Sequence, residues 1–161
     1  MIRRLVLGLC LLLAAPVQAA AIRLVDDAGR TLELPQPPQR IVSLTPHLTE
    51  LLFAVGAGAQ IAGVDSASDY PEAARTLPRV GDYSRIHFER ILALQPDLIV
   101  VWVGGNRPVD IHALQQLGFP VLHTKATRLD DVARLLRLLG QASGHAAAGE
   151  TTAAAYSVQL A

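Results

Sequence analysis

Apolar residues recur along this chain with two different periods. Ile22–Val25 and Thr31–Leu34 are short β-like runs around Asp27-Ala28-Gly29-Arg30, a stretch of residues that tolerate positive φ, and the pattern predicts a hairpin. Pro35-Gln36-Pro37-Pro38 follows as a spacer, because proline fixes φ and removes a backbone donor. From Arg40 onward, short apolar runs at 41–44, 61–64, 98–102 and 121–123 predict buried strands. Segments with helical spacing separate them. Thr45-Pro46 supplies an N-cap and a first helical position, Leu48, Leu51, Leu52 and Val55 recur on one face, and Gly56 ends that helix. A second helix, with Phe88, Ile91 and Leu92 as its apolar face, runs to Gln95-Pro96. A third spans 108–117 and closes at Gly118. A fourth opens at Thr127-Arg128-Leu129-Asp130, which has the form of a capping box, and carries a stripe of Leu129, Val132, Ala133, Leu136 and Leu139. Strands separated by helices imply βαβ units: an α/β fold with a parallel sheet and flanking helices, preceded by a short β-hairpin.

The first twenty residues belong to a different pattern. Met1-Ile2-Arg3-Arg4 is a short positive region, residues 5–15 are apolar, and Val17-Gln18-Ala19 or Ala19-Ala20-Ala21 offers small residues for cleavage. This predicts a signal peptide and an exported protein; the apolar run is too short to span a bilayer. The single cysteine, Cys10, lies inside the leader with apolar neighbours, where a lipid-bearing cysteine does not sit. The mature chain therefore has no disulfide, no thiolate metal site and no cysteine nucleophile. Removing Arg3 and Arg4 leaves 12 basic residues against 14 acids, a formal charge of −2, which gives no electrostatic reason to expect nucleic acid or an anionic membrane as partner.

Aromatic residues make up only 4% of the chain, so their positions carry information. Tyr70 falls in Ser68-Asp69-Tyr70-Pro71 after the 61–64 strand, Tyr83 in Gly81-Asp82-Tyr83, and Trp102 ends its strand ahead of Gly104-Gly105-Asn106. Ligands of open parallel sheets bind beyond the carboxyl ends of the strands. Planar side chains there suit a broad, partly apolar ligand, whereas each aromatic taken alone equally well plugs its own loop onto the sheet.

These segments resemble a family. Asp26-Asp27-Ala28-Gly29-Arg30 and Arg40-Ile41-Val42-Ser43-Leu44-Thr45-Pro46 with Thr49-Glu50-Leu51 look like the opening of the class III, helical-backbone periplasmic binding proteins. Ser68-Asp69-Tyr70-Pro71, Phe88-Glu89-Arg90-Ile91, Leu94-Gln95-Pro96-Asp97-Leu98-Ile99 and Trp102-Val103-Gly104-Gly105-Asn106 narrow the resemblance to its cobalamin-binding receptors, over roughly residues 22–140. The resemblance implies a periplasmic, monomeric, non-catalytic component of an ABC importer. Two lobes joined by a long helix hold a corrinoid between them and deliver it to the permease. It divides this chain into a signal peptide (1–20), an N-terminal α/β lobe (21–140) and the start of the interlobe helix (141–161), cut short. Carried over by position, Tyr70, Tyr83 and Trp102 pack on the corrin, with Tyr83 standing where the family has tryptophan. His47, Gly104 and Gly105 join the ligand site, and Glu89 is the acid that docks on the permease. No cofactor is implied, the corrinoid being cargo, and no membrane insertion follows removal of the leader.

Rival readings are an iron-siderophore or haem receptor of the same fold, or a lobe that no longer transports. Of the five histidines, only His47, at the start of the first helix, is placed at the cleft; His87, His112, His123 and His145 read as surface or loop positions. Glu89 equally complements the dipole of its own helix. Catalysis has little support: Gly56-Ala57-Gly58 does not extend to a dinucleotide loop, and neither a Walker loop nor a GxSxG elbow occurs. Asp65 and Asp69 are the one pairing of acids that suggests a glycosidase-like site, and Asp69 is more simply a turn residue.

Overall fold

The computed structural model describes residues 20–160. The signal peptide expected over 1–20, including Cys10, lies outside the described residues except for residue 20. β1 (Ile22–Val25) and β2 (Thr31–Leu34) form the hairpin in antiparallel register, Ile22 opposite Leu34 and Val25 opposite Thr31. Leu24, Leu32 and Leu34 turn inward while Arg23 and Glu33 face solvent, the period-two pattern of a half-buried sheet.

β3 (Ile41–Ser43), β4 (Ile61–Val64), β5 (Leu98–Trp102) and β6 (Val121–Thr124) make a parallel sheet in the order β4-β3-β5-β6. Both faces are covered. Ile41, Leu98, Val100 and Leu122 pack under α1 (Pro46–Ala54) and α4 (Asp130–Ser143). Val42, Ile99 and Val101 pack under α2 (Phe88–Leu94) and α3 (Pro108–Gln116). Two buried faces explain why the strands read as continuous apolar runs rather than alternating ones. Each fully buried leucine, such as Leu48, Leu135 or Leu139, contributes on the order of 2 kcal/mol.

Several boundaries differ from the sequence-based expectation, each for a local reason. Pro46 occupies the first position of α1, yet the Thr45 side chain makes no capping bond. The fourth helix begins at Asp130, and the residue that reaches back is Asp131, whose Oδ2 accepts the backbone N–H of Thr127 at 2.8 Å and of Arg128 at 3.0 Å. Leu129 therefore precedes the first turn and is 66% exposed, and the buried stripe runs through Ala133, Leu135, Leu136, Leu138 and Leu139. Leu92 is likewise exposed; Ile91 buries α2, with Phe88 and Leu94 packed beside it. α4 continues through Gly140 to Ser143 and is closed by Gly144 at φ 83°, so a boundary at 140 falls inside a helix. α5 (Ala146–Leu160) folds back on α4 across two glycines; a Cβ on Gly149 would lie 2.7 Å from the Leu136 carbonyl oxygen.

Candidate ligand-binding site

The strand order reverses at β3, which pairs with β4 on one side and β5 on the other. The chain leaves the carboxyl ends of β3 and β5 in opposite directions, which opens a crevice between them. Thr45 and His47 stand at the β3 side, in the first turn of α1 and just before it. Trp102 stands at the β5 side.

The indole of Trp102 meets the His47 ring edge-on, with centroids 5.1 Å apart and planes at 87°. The loop after β5 is shaped to lie under that indole. A Cβ on Gly105 would come within 2.2 Å of the ring and one on Gly104 within 3.0 Å, so the backbone approaches closer than any side chain allows. Asn106 then fastens the loop: its Oδ1 accepts the Trp102 backbone N–H at 2.8 Å, and its Nδ2 donates to the Leu44 carbonyl at 3.0 Å. One buried amide thus joins the ends of β3 and β5.

Asp65 follows β4 and is only 5% exposed, with Oδ1 accepting the Ala67 N–H at 2.8 Å. Burial raises its pKa; the Ala67 hydrogen bond opposes that shift and the Asp82 charge adds to it. Asp82 Oδ1 accepts the Ser84 hydroxyl at 2.6 Å and the N–H groups of Ser84 and Arg85, which hold its pKa down. That same turn presents Tyr83, 82% exposed.

Thr45, His47, Asp65, Asp82, Tyr83 and Trp102 line a cavity of about 250 Å³, and Gly105 and Asn106 complete its floor. Among the described residues, four buried side-chain polar atoms lack a hydrogen-bond partner, and three of them belong to this lining: Thr45 Oγ1, His47 Nε2 and Trp102 Nε1. Leaving such a group unpaired costs about 1–3 kcal/mol, so their concentration around one cavity singles it out as the candidate site. Burial also lowers the His47 pKa, which favours the neutral imidazole.

Of the residues expected at the ligand, the structure brings together His47, Tyr83, Trp102 and Gly105, with Gly104 beneath the indole. Tyr70 is 68% exposed and does not line this cavity. Glu89 is exposed in the first turn of α2, beside a separate depression with Arg85, His87, Arg107 and Asp110. Asp69 is not in the lining; the acid beside Asp65 is Asp82. Thr45, Asp82 and Asn106 escaped sequence reasoning, because a threonine before proline reads as a cap and Asp and Asn beside glycine read as turn residues.

The periplasmic binding protein family model matches residues 41–161. The chain belongs to the periplasmic binding protein family. A vitamin B12-binding protein of Vibrio campbellii is 40% identical over 124 residues, which is 77% of this chain and 45% of that protein. The crystal structure of the periplasmic vitamin B12 binding protein of Vibrio cholerae superposes with a TM-score of 0.74 at 38% identity, covering 77% of this chain and 49% of that one. The periplasmic heme-binding protein RhuT of Roseiflexus superposes at 0.71 with 34% identity, covering 76% and 47%. The chain spans about half the length of the curated relatives it matches. No helix among the described residues is long and apolar enough to cross a membrane.

Proposed function

We propose that this chain supplies one wall of the binding cleft of a periplasmic receptor that holds a corrinoid such as cobalamin and hands it to an ABC permease. The observation that carries this is the cavity at the β3/β5 crevice, where Trp102, its glycine bed, Tyr83 and the edge of His47 form an aromatic surface bearing unpaired polar atoms. The vitamin B12-binding relatives support it. Flat rings at the mouth of a crevice suit a macrocycle that presents a broad apolar face and a polar rim.

In this role the protein binds without turnover and without a resident cofactor, as a monomer in the periplasm after its leader is removed. Tyr70, exposed outside the cavity, meets cargo that overhangs the crevice. A single wall covers part of such a ligand, and a facing lobe adds the remaining burial, so affinity is far lower for this chain than for a two-lobed receptor. Glu89, exposed beside Arg85 and Arg107, is the docking acid that meets basic residues of the permease.

A heme receptor is the second reading, favoured by the Roseiflexus relative and by the unpaired Nε2 of His47, a competent iron ligand. Incubating purified protein with cyanocobalamin or hemin, followed by gel filtration and a visible spectrum, separates the two. Co-elution of the corrinoid chromophore is expected. Retention of hemin alone would reassign the cargo, and retention of neither by the chain or by a two-lobed version would remove the receptor reading.

A further inference from the structure

The cavity carries a charge pattern that aromatic packing does not explain. Asp65 and Asp82 are the charged side chains of its lining, and no lysine or arginine is among the lining residues. Three arginines, Arg79, Arg85 and Arg107, stand near the same loops without lining the cavity, and the charge of Arg79 acts on Asp65 against the effect of burial. Arg79 Nη1 donates to the backbone carbonyls of Asp65 and Ser68 at 3.1 and 2.6 Å. Arg107 Nη1 donates to the Ser84 carbonyl at 3.0 Å, and its Nε lies 3.8 Å from Asp110.

The acids accompany a second, independent sign of a ligand. Thr45, 8% exposed and part of the same lining, keeps a buried hydroxyl oxygen with no protein partner. Each carboxylate retains acceptor capacity beyond the N–H and O–H groups it already takes, since an ionised carboxylate accepts about four hydrogen bonds.

We infer that this cavity selects cargo by the chemistry of the ligand's rim: Asp65 and Asp82 accept from a periphery of uncharged amide N–H groups and turn away a macrocycle of the same shape whose periphery is carboxylate. The inference rests on the corrinoid-cleft proposal and sharpens it, because it separates amide-rimmed corrinoids from propionate-bearing tetrapyrroles and carboxylate siderophores by electrostatics rather than by size. Like charges repel, more at buried Asp65 than at Asp82, which is exposed and screened by solvent, while a carboxylate accepting an amide N–H gains a charge-assisted bond.

The test compares two probes that share one corrin ring: dicyanocobinamide, rimmed with primary amides, and dicyanocobyrinic acid, rimmed with free carboxylates. Binding of each to the full chain is followed by tryptophan quenching at pH 8 and low salt. The amide probe is expected to bind about tenfold or more tightly, with the gap shrinking as salt rises. Asp82→Asn, at a surface turn and with Oδ1 still able to accept from Ser84 and Arg85, is expected to narrow the gap. Asp65→Asn, which keeps the Ala67 bond, narrows it further where circular dichroism shows a native fold. Equal affinity for the two probes, or a gap unmoved by Asp82→Asn, would overturn rim selection while leaving the aromatic cleft intact. Failure of both probes to bind would instead remove the cleft proposal beneath it.

Discussion

Asp26 and His123 meet across the fold, the imidazole Nδ1 donating to the carboxylate Oδ2 at 2.6 Å, and both side chains are buried. The same Oδ2 accepts the His123 backbone N–H at 3.2 Å, and Oδ1 accepts from Ala28 at 3.0 Å and Arg30 at 2.8 Å. One carboxylate therefore shapes the hairpin turn and pins it to the end of β6. Asp26→Ala strands both His123 donors in a dry site. Its expected cost is about 3 kcal/mol, or roughly 10 °C in Tm, read by thermal circular dichroism. A loss of under 2 °C would show that the hairpin is not part of the cooperative unit.

This pair also shows where sequence reasoning stopped. The hairpin, the four strands and the helices were legible because apolar period and Gly/Pro punctuation are local signals. His123 read as a loop histidine because its partner lies 97 residues away, and no local pattern reveals a contact at that distance. Trp102, Tyr83 and His47 were legible at the cleft from their place after strands. Asp65 and Asp82 were not legible as a pair, since two loops bring them together only after the sheet has formed. Tyr70 sits in the loop after β4 whose Asp65 and Ala67 line the cavity, but its own side chain is exposed outside that lining.

The α4–α5 contact separates packing from charge. Arg137 holds Glu150 with two bonds, Nε to Oε2 at 2.8 Å and Nη2 to Oε1 at 3.0 Å, on an exposed surface. Beside them Gly149 leaves no room for a side chain against the Leu136 carbonyl. Gly149→Leu is expected to push the helices apart at a cost of about 3 kcal/mol and to strip hydrogen-exchange protection from α5. Glu150→Ala removes a solvent-screened pair and is expected to leave that protection nearly unchanged, the more so in high salt. The reverse ranking would make the ion pair, not the glycine contact, the tie between the helices.

Burial places the His47 pKa below its ordinary value of 6.5. The unfolded chain then takes up a proton at higher pH than the folded one does. The stability His47 contributes is therefore complete above about pH 6.5 and declines as pH falls below it. Asp65, raised from 3.8 by burial, has the opposite sign: the folded state holds the extra proton, so its contribution declines as pH rises through the window above 3.8. Urea midpoints at pH 7.5 and 5.0 are expected to differ less for His47→Gln than for the native chain. An unchanged difference would mean that the imidazole is hydrated.

Trp102 is the only tryptophan, so its emission reports the site directly. Gly105→Ala introduces a methyl group that would sit 2.2 Å from ring carbon Cε3 and 2.5 Å from Cζ3, and the ring must move. Moving it breaks the edge-on contact with His47 and tilts the surface that a flat ligand would share. The expected signature is a red-shifted emission, about tenfold weaker corrinoid quenching, and a Tm lowered by a few degrees, because Gly105 itself is exposed and the displaced ring packs only at the edge of one core. Gly104→Ala, with its nearest approach at 3.0 Å, needs a displacement of only tenths of an ångström and should lie between this variant and the native chain. A graded fall in affinity across the two variants ties binding to ring position. A shifted emission with unaltered affinity would mean that Trp102 packs its own loop and that the cargo rests elsewhere on the crevice.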